Sequence, residues 1–123
     1  MLAEVQAEVE RRPAETAFVL LLDFDGTLAE FNPDPAAPEL TPERHEVIMR
    51  IAQHPAVSLG IVSGRRLDDL RRRTRLPDHV YHAGLHGLEM EINGYRTTHP
   101  DLACAVERLD GMAGSLHKLL VEF

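Results

Sequence analysis

The chain is predicted to fold as an α/β domain in which a mainly parallel sheet is flanked by helices and extended by an antiparallel hairpin. Three observations predict this. Short apolar runs at 17–23, 56–63 and 79–83 alternate with stretches of helical periodicity, the pattern of a parallel sheet with right-handed crossovers. Asn93-Gly94 lies inside an alternating stretch at 88–97, the strongest short signal for a hairpin. The 123 residues are 44% hydrophobic, enough for one domain with a real core.

Taken in order, Leu2, Val5 and Val9 recur at helical spacing before Pro13, so residues 2–12 read as an amphipathic helix within a lead-in segment, 1–16. The continuous run from Ala17 to Asp23 suggests a strand buried on both faces. Three prolines without periodicity make 29–41 a loop. Thr41 is a good N-cap and Pro42 suits the first helical position. Val47, Ile48 and Ile51 then supply the inner face of a helix to about Gln53. Strand 56–63 ends at Ser63-Gly64, and the following helix turns Leu67 and Leu70 inward. Its Asp68–Arg72 and Asp69–Arg73 pairs are spaced for i,i+4 attraction, so this charge run is expected to be a solvated face. A last helix is expected over 101–120, weakened by Gly111 and Gly114.

Composition removes several function classes. With 13 basic and 20 acidic residues the net charge is −7, which gives no electrostatic help toward nucleic acid. The longest apolar run, 17–22, has six residues, too few to span a bilayer. The acidic start is unlike a signal peptide, and the lone Cys104 suits a reducing compartment; the expectation is a cytoplasmic protein with no membrane partner. His79, His82 and His86 do not share one strand face, so no metal cluster is expected there. His45, His54, His99 and His117 are expected to face solvent.

The chemistry gathers in DFDGTL, 23–28, and IVSGR, 61–65, both at the carboxyl ends of strands, where ligands of parallel sheets sit. One carboxylate can attack phosphorus. A second can protonate the leaving oxygen and then deprotonate water. Mg²⁺ accepts hard oxygen donors and keeps several waters, which suits a site with few carboxylates. Gly26 permits the tight exit from the strand, and the amides after it can face a phosphate. Ser63 opens a helix whose first N–H groups can hold an anion, and Arg65 can add a bidentate contact. By spacing alone, Asp-x-Asp-Gly can equally be a turn or an N-cap.

DFDGTL resembles the first motif of the haloacid dehalogenase superfamily, and IVSGR resembles its second. NPDPAAPEL, 32–40, and AGLHGLEME, 83–91, narrow the resemblance to the N-terminal part of trehalose-6-phosphate phosphatases, over about Phe18 to Ile92. The resemblance implies a partial Rossmann-like core and a Mg²⁺-dependent hydrolysis of trehalose 6-phosphate through an aspartyl-phosphate. It implies that Asp23 is the nucleophile and a metal ligand. It matches Asp25 to the acid/base, with the backbone carbonyl of that position on the metal. Gly26, Thr27, Ser63, Gly64 and Arg65 match phosphate-binding positions, and Thr27 orients the loop. His86, Gly87 and Glu89 match a sugar-contact region.

The same resemblance expects a lysine and a second acidic cluster after a small cap. Lys118 is the only lysine, and Asp68-Asp69 lacks the preceding glycine. Residues 1–123 are therefore expected to be the first portion of such a core, with 101–123 leading toward the cap. The first strand is expected to present an unpaired apolar edge, to be covered by self-association or by a complementing C-terminal portion. Two alternatives stay open: another sugar-phosphate phosphatase or phosphomutase of the superfamily, and a non-catalytic phosphosugar-binding or truncated module.

Overall fold

The computed structural model describes residues 2–102 apart from 16 and 35, together with 108, 111 and 112. The helix expected over 101–120, Cys104 and Lys118 lie outside the described residues or almost wholly so. The elements are α1 (Leu2–Glu10), β1 (Phe18–Asp23), α2 (Pro42–Gln53), β2 (Val57–Val62), α3 (Leu67–Thr74), β3 (Tyr81–Gly84), β4 (Glu89–Ile92) and β5 (Tyr95–Thr98), with one 3₁₀ turn at Leu85–Gly87. They form a single five-stranded sheet in the order β1-β2-β3-β4-β5. β1, β2 and β3 are parallel, with Asp23 beside Val62 and Val62 beside Ala83. β4 and β5 complete the sheet as the expected antiparallel hairpin, which turns at Asn93 and Gly94 with φ of 50° and 80°.

Local chemistry accounts for most boundaries. Thr41 caps α2, its Oγ1 accepting from Arg44 N at 3.2 Å, with Pro42 at the first turn. α3 has no capping side chain of its own at Arg66. Glu89 of β4 serves instead, its carboxylate accepting from Leu67 N at 2.9 Å. A carboxylate there also meets the positive end of the helix dipole.

The core is one cluster on one side of the sheet. Leu22, Leu59, Ile61 and Val80 meet Val9 of α1, Ile48 and Ile51 of α2 and Leu70 of α3. The reason is directional. Each crossover, β1–α2–β2 and β2–α3–β3, moves to the next strand on the same side, so crossovers of one hand lay their helices on one face. This corrects the expectation that β1 is buried on both faces. Val19 and Leu21 are 68% and 60% exposed, and β1 is an edge strand, as its apolar edge was expected to be.

The charges of α3 depart only in part from a solvated face: Asp68 and Arg72 are exposed, whereas Asp69, Arg71 and Arg73 are largely covered. Asp69 pairs with Arg73 as expected, but Asp68 pairs with Arg96 of β5 at 2.7 Å. Arg73 is only 8% exposed and donates to the carbonyls of Ala36 and Pro38, at 3.0 and 2.7 Å. The helix therefore fastens the Pro-rich loop. Two of the histidines expected to face solvent are half-buried and bonded to backbone. A His45 ring nitrogen meets Arg75 O at 3.0 Å, and His54 Nδ1 accepts from Ala56 N at 3.1 Å.

His82 is fully buried. Its Nδ1 lies 3.0 Å from Val80 O, so that nitrogen carries the proton, and Nε2 accepts from the Thr74 hydroxyl at 2.9 Å. Burial pushes its pKa down to about 4, against the opposing pull of the Val80 carbonyl. A neutral imidazole is thus part of the core.

Candidate active site

Two segments meet at the carboxyl ends of β1 and β2. The chain leaves β1 through a turn in which Gly26 takes φ +80°, a conformation that glycine adopts without strain. Within this turn the amides of Thr27, Leu28 and Ala29 all point to Phe24 O, at 3.4, 3.0 and 3.0 Å, while Gly26 N donates to Ala29 O at 2.8 Å. These amides, expected to be open to a phosphate, hold the turn closed. Gly26 is exposed and Thr27 half-buried. Phe24 is fully buried beneath the turn and anchors it.

The two aspartates differ sharply. Asp23 is exposed and makes no side-chain hydrogen bond or ion pair among the described residues. Asp25 is clamped by Arg65: Nε lies 3.2 and 3.0 Å from its two carboxylate oxygens, and Nη2 lies 2.7 Å from Oδ1. The Ser63 hydroxyl is 3.5 Å from Asp25 Oδ2 and accepts from Arg65 N at 3.0 Å. The hydrogen bond to Asp25 outweighs partial desolvation and keeps the Arg65 guanidinium above its ordinary pKa.

A third segment closes over this loop. Leu85 N donates to Arg65 O at 2.7 Å and His86 N to Ser63 O at 3.0 Å. Leu85 and His86 both take positive φ, 47° and 55°, a costly conformation for two successive non-glycine residues. The turn ends at Gly87, with φ 94°. Gly64 is what lets the turn approach: a Cβ there would lie 2.7 Å from His86 Cε1 and Nε2. Of the residues matched to sugar contact, His86 is exposed against this loop, whereas Glu89 is engaged with Leu67 N.

Sequence reasoning paired Asp69 with Arg73 but missed its bond to Arg65. Its carboxylate accepts from Arg65 Nη1, Arg72 Nη2 and Arg73 Nε at 3.2, 2.7 and 2.9 Å. Partial burial alone would raise its pKa, but hydrogen bonds from Arg73, Arg72 and Arg65 overcome that and hold it at about 2. The signal was available, since Arg65 and Asp69 stand at i,i+4.

Strand order and flanking helices define a mixed α/β domain with two aspartates at the carboxyl end of its first strand. The family model described as Trehalose-phosphatase matches residues 21–116. The chain belongs to that family of phosphatase enzymes. It is 33% identical over 116 residues to the trehalose-phosphate phosphatase of Mycobacterium tuberculosis, covering 94% of this chain and 28% of that protein. It is 36% identical over 73 residues to a trehalose 6-phosphate phosphatase of Zea mays, covering 59% of this chain and 19% of that one. The C-terminal domain of a Candida albicans trehalose-6-phosphate phosphatase shares the fold, with a TM-score of 0.68 at 21% identity over 89% of this chain and 38% of that chain. The chain thus spans between a fifth and two fifths of these relatives' lengths.

Proposed function

We propose that this chain carries the nucleophile and acid/base of a Mg²⁺-dependent phosphatase that hydrolyses trehalose 6-phosphate to trehalose and phosphate. The observation that supports this best is the pairing of Asp25 with Arg65 and Ser63 beside an exposed Asp23 that has no side-chain partner among the described residues. Two segments 40 residues apart in sequence converge there, and a turn or N-cap needs no such partner.

On this reading an Asp23 carboxylate oxygen attacks phosphorus. The bond from phosphorus to the sugar oxygen breaks, and Asp25 gives its proton to that oxygen. Asp25 then takes a proton from a water that attacks the aspartyl-phosphate, releasing phosphate and restoring Asp23. Arg65 must exchange at least part of its hold on Asp25 for the phosphoryl oxygens. His86 and Gly87 border the sugar.

Residues for the metal are present in part. The Asp23 carboxylate and the Asp25 carbonyl are both hard oxygen donors, and no hydrogen bond reaches that carbonyl among the described residues. No group of three or more metal-binding side chains occurs among the described residues, so water or other residues would complete the shell. When bound, Mg²⁺ would supply charge neutralisation at the phosphoryl oxygens. We place the reaction in the cytoplasm, which suits the lone thiol of Cys104. The apolar edge of β1 fits a second copy or a complementing C-terminal portion, with residues 1–123 as the first part of the core.

The test is phosphate release from trehalose 6-phosphate, with and without Mg²⁺, beside Asp23→Asn. Mg²⁺-dependent release is expected, falling at least about 10²-fold in the variant. Equal release by the variant would remove Asp23 from the mechanism. A second reading, binding without turnover, draws on the clamped state of Asp25; saturable binding of the sugar phosphate with no release would favour it.

A further inference from the structure

Arg65 is where the two segments meet, and its guanidinium is held on three sides. Nε and Nη2 face Asp25, Nη1 donates to Asp69 at 3.2 Å, and Cζ lies 5.7 Å from the centroid of the buried Phe24 ring. A guanidinium is a rigid planar fork, so a carboxylate that holds one edge sets the direction of the others. Asp69 is itself anchored by Arg73, whose Nη1 reaches Ala36 O and Pro38 O. A continuous chain of charge-assisted bonds therefore runs from the Pro-rich loop through Arg73, Asp69 and Arg65 to Asp25.

We infer that Asp69 is a positioning residue: it aims the Arg65 fork at the Asp25 carboxylate and at a phosphoryl group entering beside it, and through Arg73 it ties that aim to the Pro-rich loop. The phosphoryl part rests on the phosphatase reading above; the aiming of Arg65 does not. A simpler role exists for any acid in the first turn of α3, which is to favour the helix dipole. Asp68 fills that role equally well and binds Arg96 instead of Arg65, so it serves as the control.

The experiment follows the Arg65 Nε–Hε resonance of the full chain by NMR, measuring its exchange with water. Inorganic phosphate is then titrated into wild type, Asp69→Asn and Asp68→Asn. Asp69→Asn is expected to speed Arg65 Hε exchange and to weaken phosphate binding, each on the order of tenfold, the worth of one charge-assisted hydrogen bond. Asp68→Asn is expected to leave both near wild type. A folded Asp69→Asn protein with wild-type Hε exchange would overturn the inference, as would an equal change in Asp68→Asn. If wild type binds no phosphate, the phosphatase reading loses its support while the exchange rates still decide the role of Asp69. Should Asp69→Asn not fold, Arg73→Lys keeps the Asp69–Arg65 contact and frees the loop. A severalfold faster Hε exchange is then expected, and an unchanged rate would rule out the tie.

Discussion

On one face of the sheet, Leu22, Leu59, Ile61 and Val80 lie beneath three helices. On the other, Val19 and Leu21 of β1, with Tyr81 and Ile92, line a shallow open groove that also includes Ser58 and Gly60. The strands offer apolar side chains to both faces, so composition does not explain the difference. Two crossovers that step in the same direction put α2 and α3 on one side. A helix on the other side requires a crossover that steps back across the sheet. Apolar periodicity shows which residues can be buried; chain direction shows which of them are.

The sharpest way to break this comparison is a matched pair of truncations. Ile61→Ala, on the covered face, is expected to cost about 2–5 kcal/mol. Leu21→Ala, on the open face, is expected to cost less than about 1 kcal/mol. Both are read by denaturant unfolding, and similar costs would mean that the open face is covered in solution.

A second contrast uses pH, because the covered face contains the neutral imidazole of His82. Its folded pKa of about 4 lies below the ordinary 6.5, so on acidification the unfolded chain takes up the proton first. The stability associated with neutral His82 is complete above about pH 6.5 and declines as pH falls toward 4, by up to about 3 kcal/mol. The measurement is unfolding free energy against pH for wild type minus His82→Gln, which cancels the carboxylates titrating in the same range. A flat difference would show that the imidazole charges without cost where it stands.

The smallest effect compares two glycines. A Cβ on Gly84 would lie 2.6 Å from Leu67 N and 2.8 Å from Arg65 O. These are backbone atoms that cannot rotate away, so Gly84→Ala is expected to cost about 1–3 kcal/mol and to disturb the Ser63–Arg65 loop. A Cβ on Gly60 meets only side chains, chiefly Leu21 Cδ2 at 2.6 Å. Leu21 is exposed and can turn aside, so Gly60→Ala should cost under about 1 kcal/mol. Thermal unfolding of the two variants ranks them, and a larger loss at Gly60 would show that Leu21 is not free to move.

Much of the frame was legible from short-range signals. Thr41-Pro42 opened α2 where expected, and Asn93-Gly94 turned the hairpin, because caps and tight turns are decided within a few residues. DFDGTL and SGR were legible as a pair at strand ends. What the sequence concealed involves partners far along the chain. Glu89 caps a helix that starts 22 residues earlier, and Asp68 reaches Arg96, 28 residues on. Arg73 grips carbonyls more than 30 residues before it. Asp69 was half legible, since its bond to Arg73 was expected and its bond to Arg65 was not.

The sequence by itself determined the order of strands and helices, the hairpin, and the identity of the carboxylates at the end of β1. These follow from periodicity and from residues that restrict their own backbone. Tertiary structure alone decided which face of the sheet is covered, which charge each arginine meets, and that Asp25 is clamped while Asp23 stands open. Burial and ion pairing depend on distances in space, and sequence spacing sets those distances only within one turn or one strand.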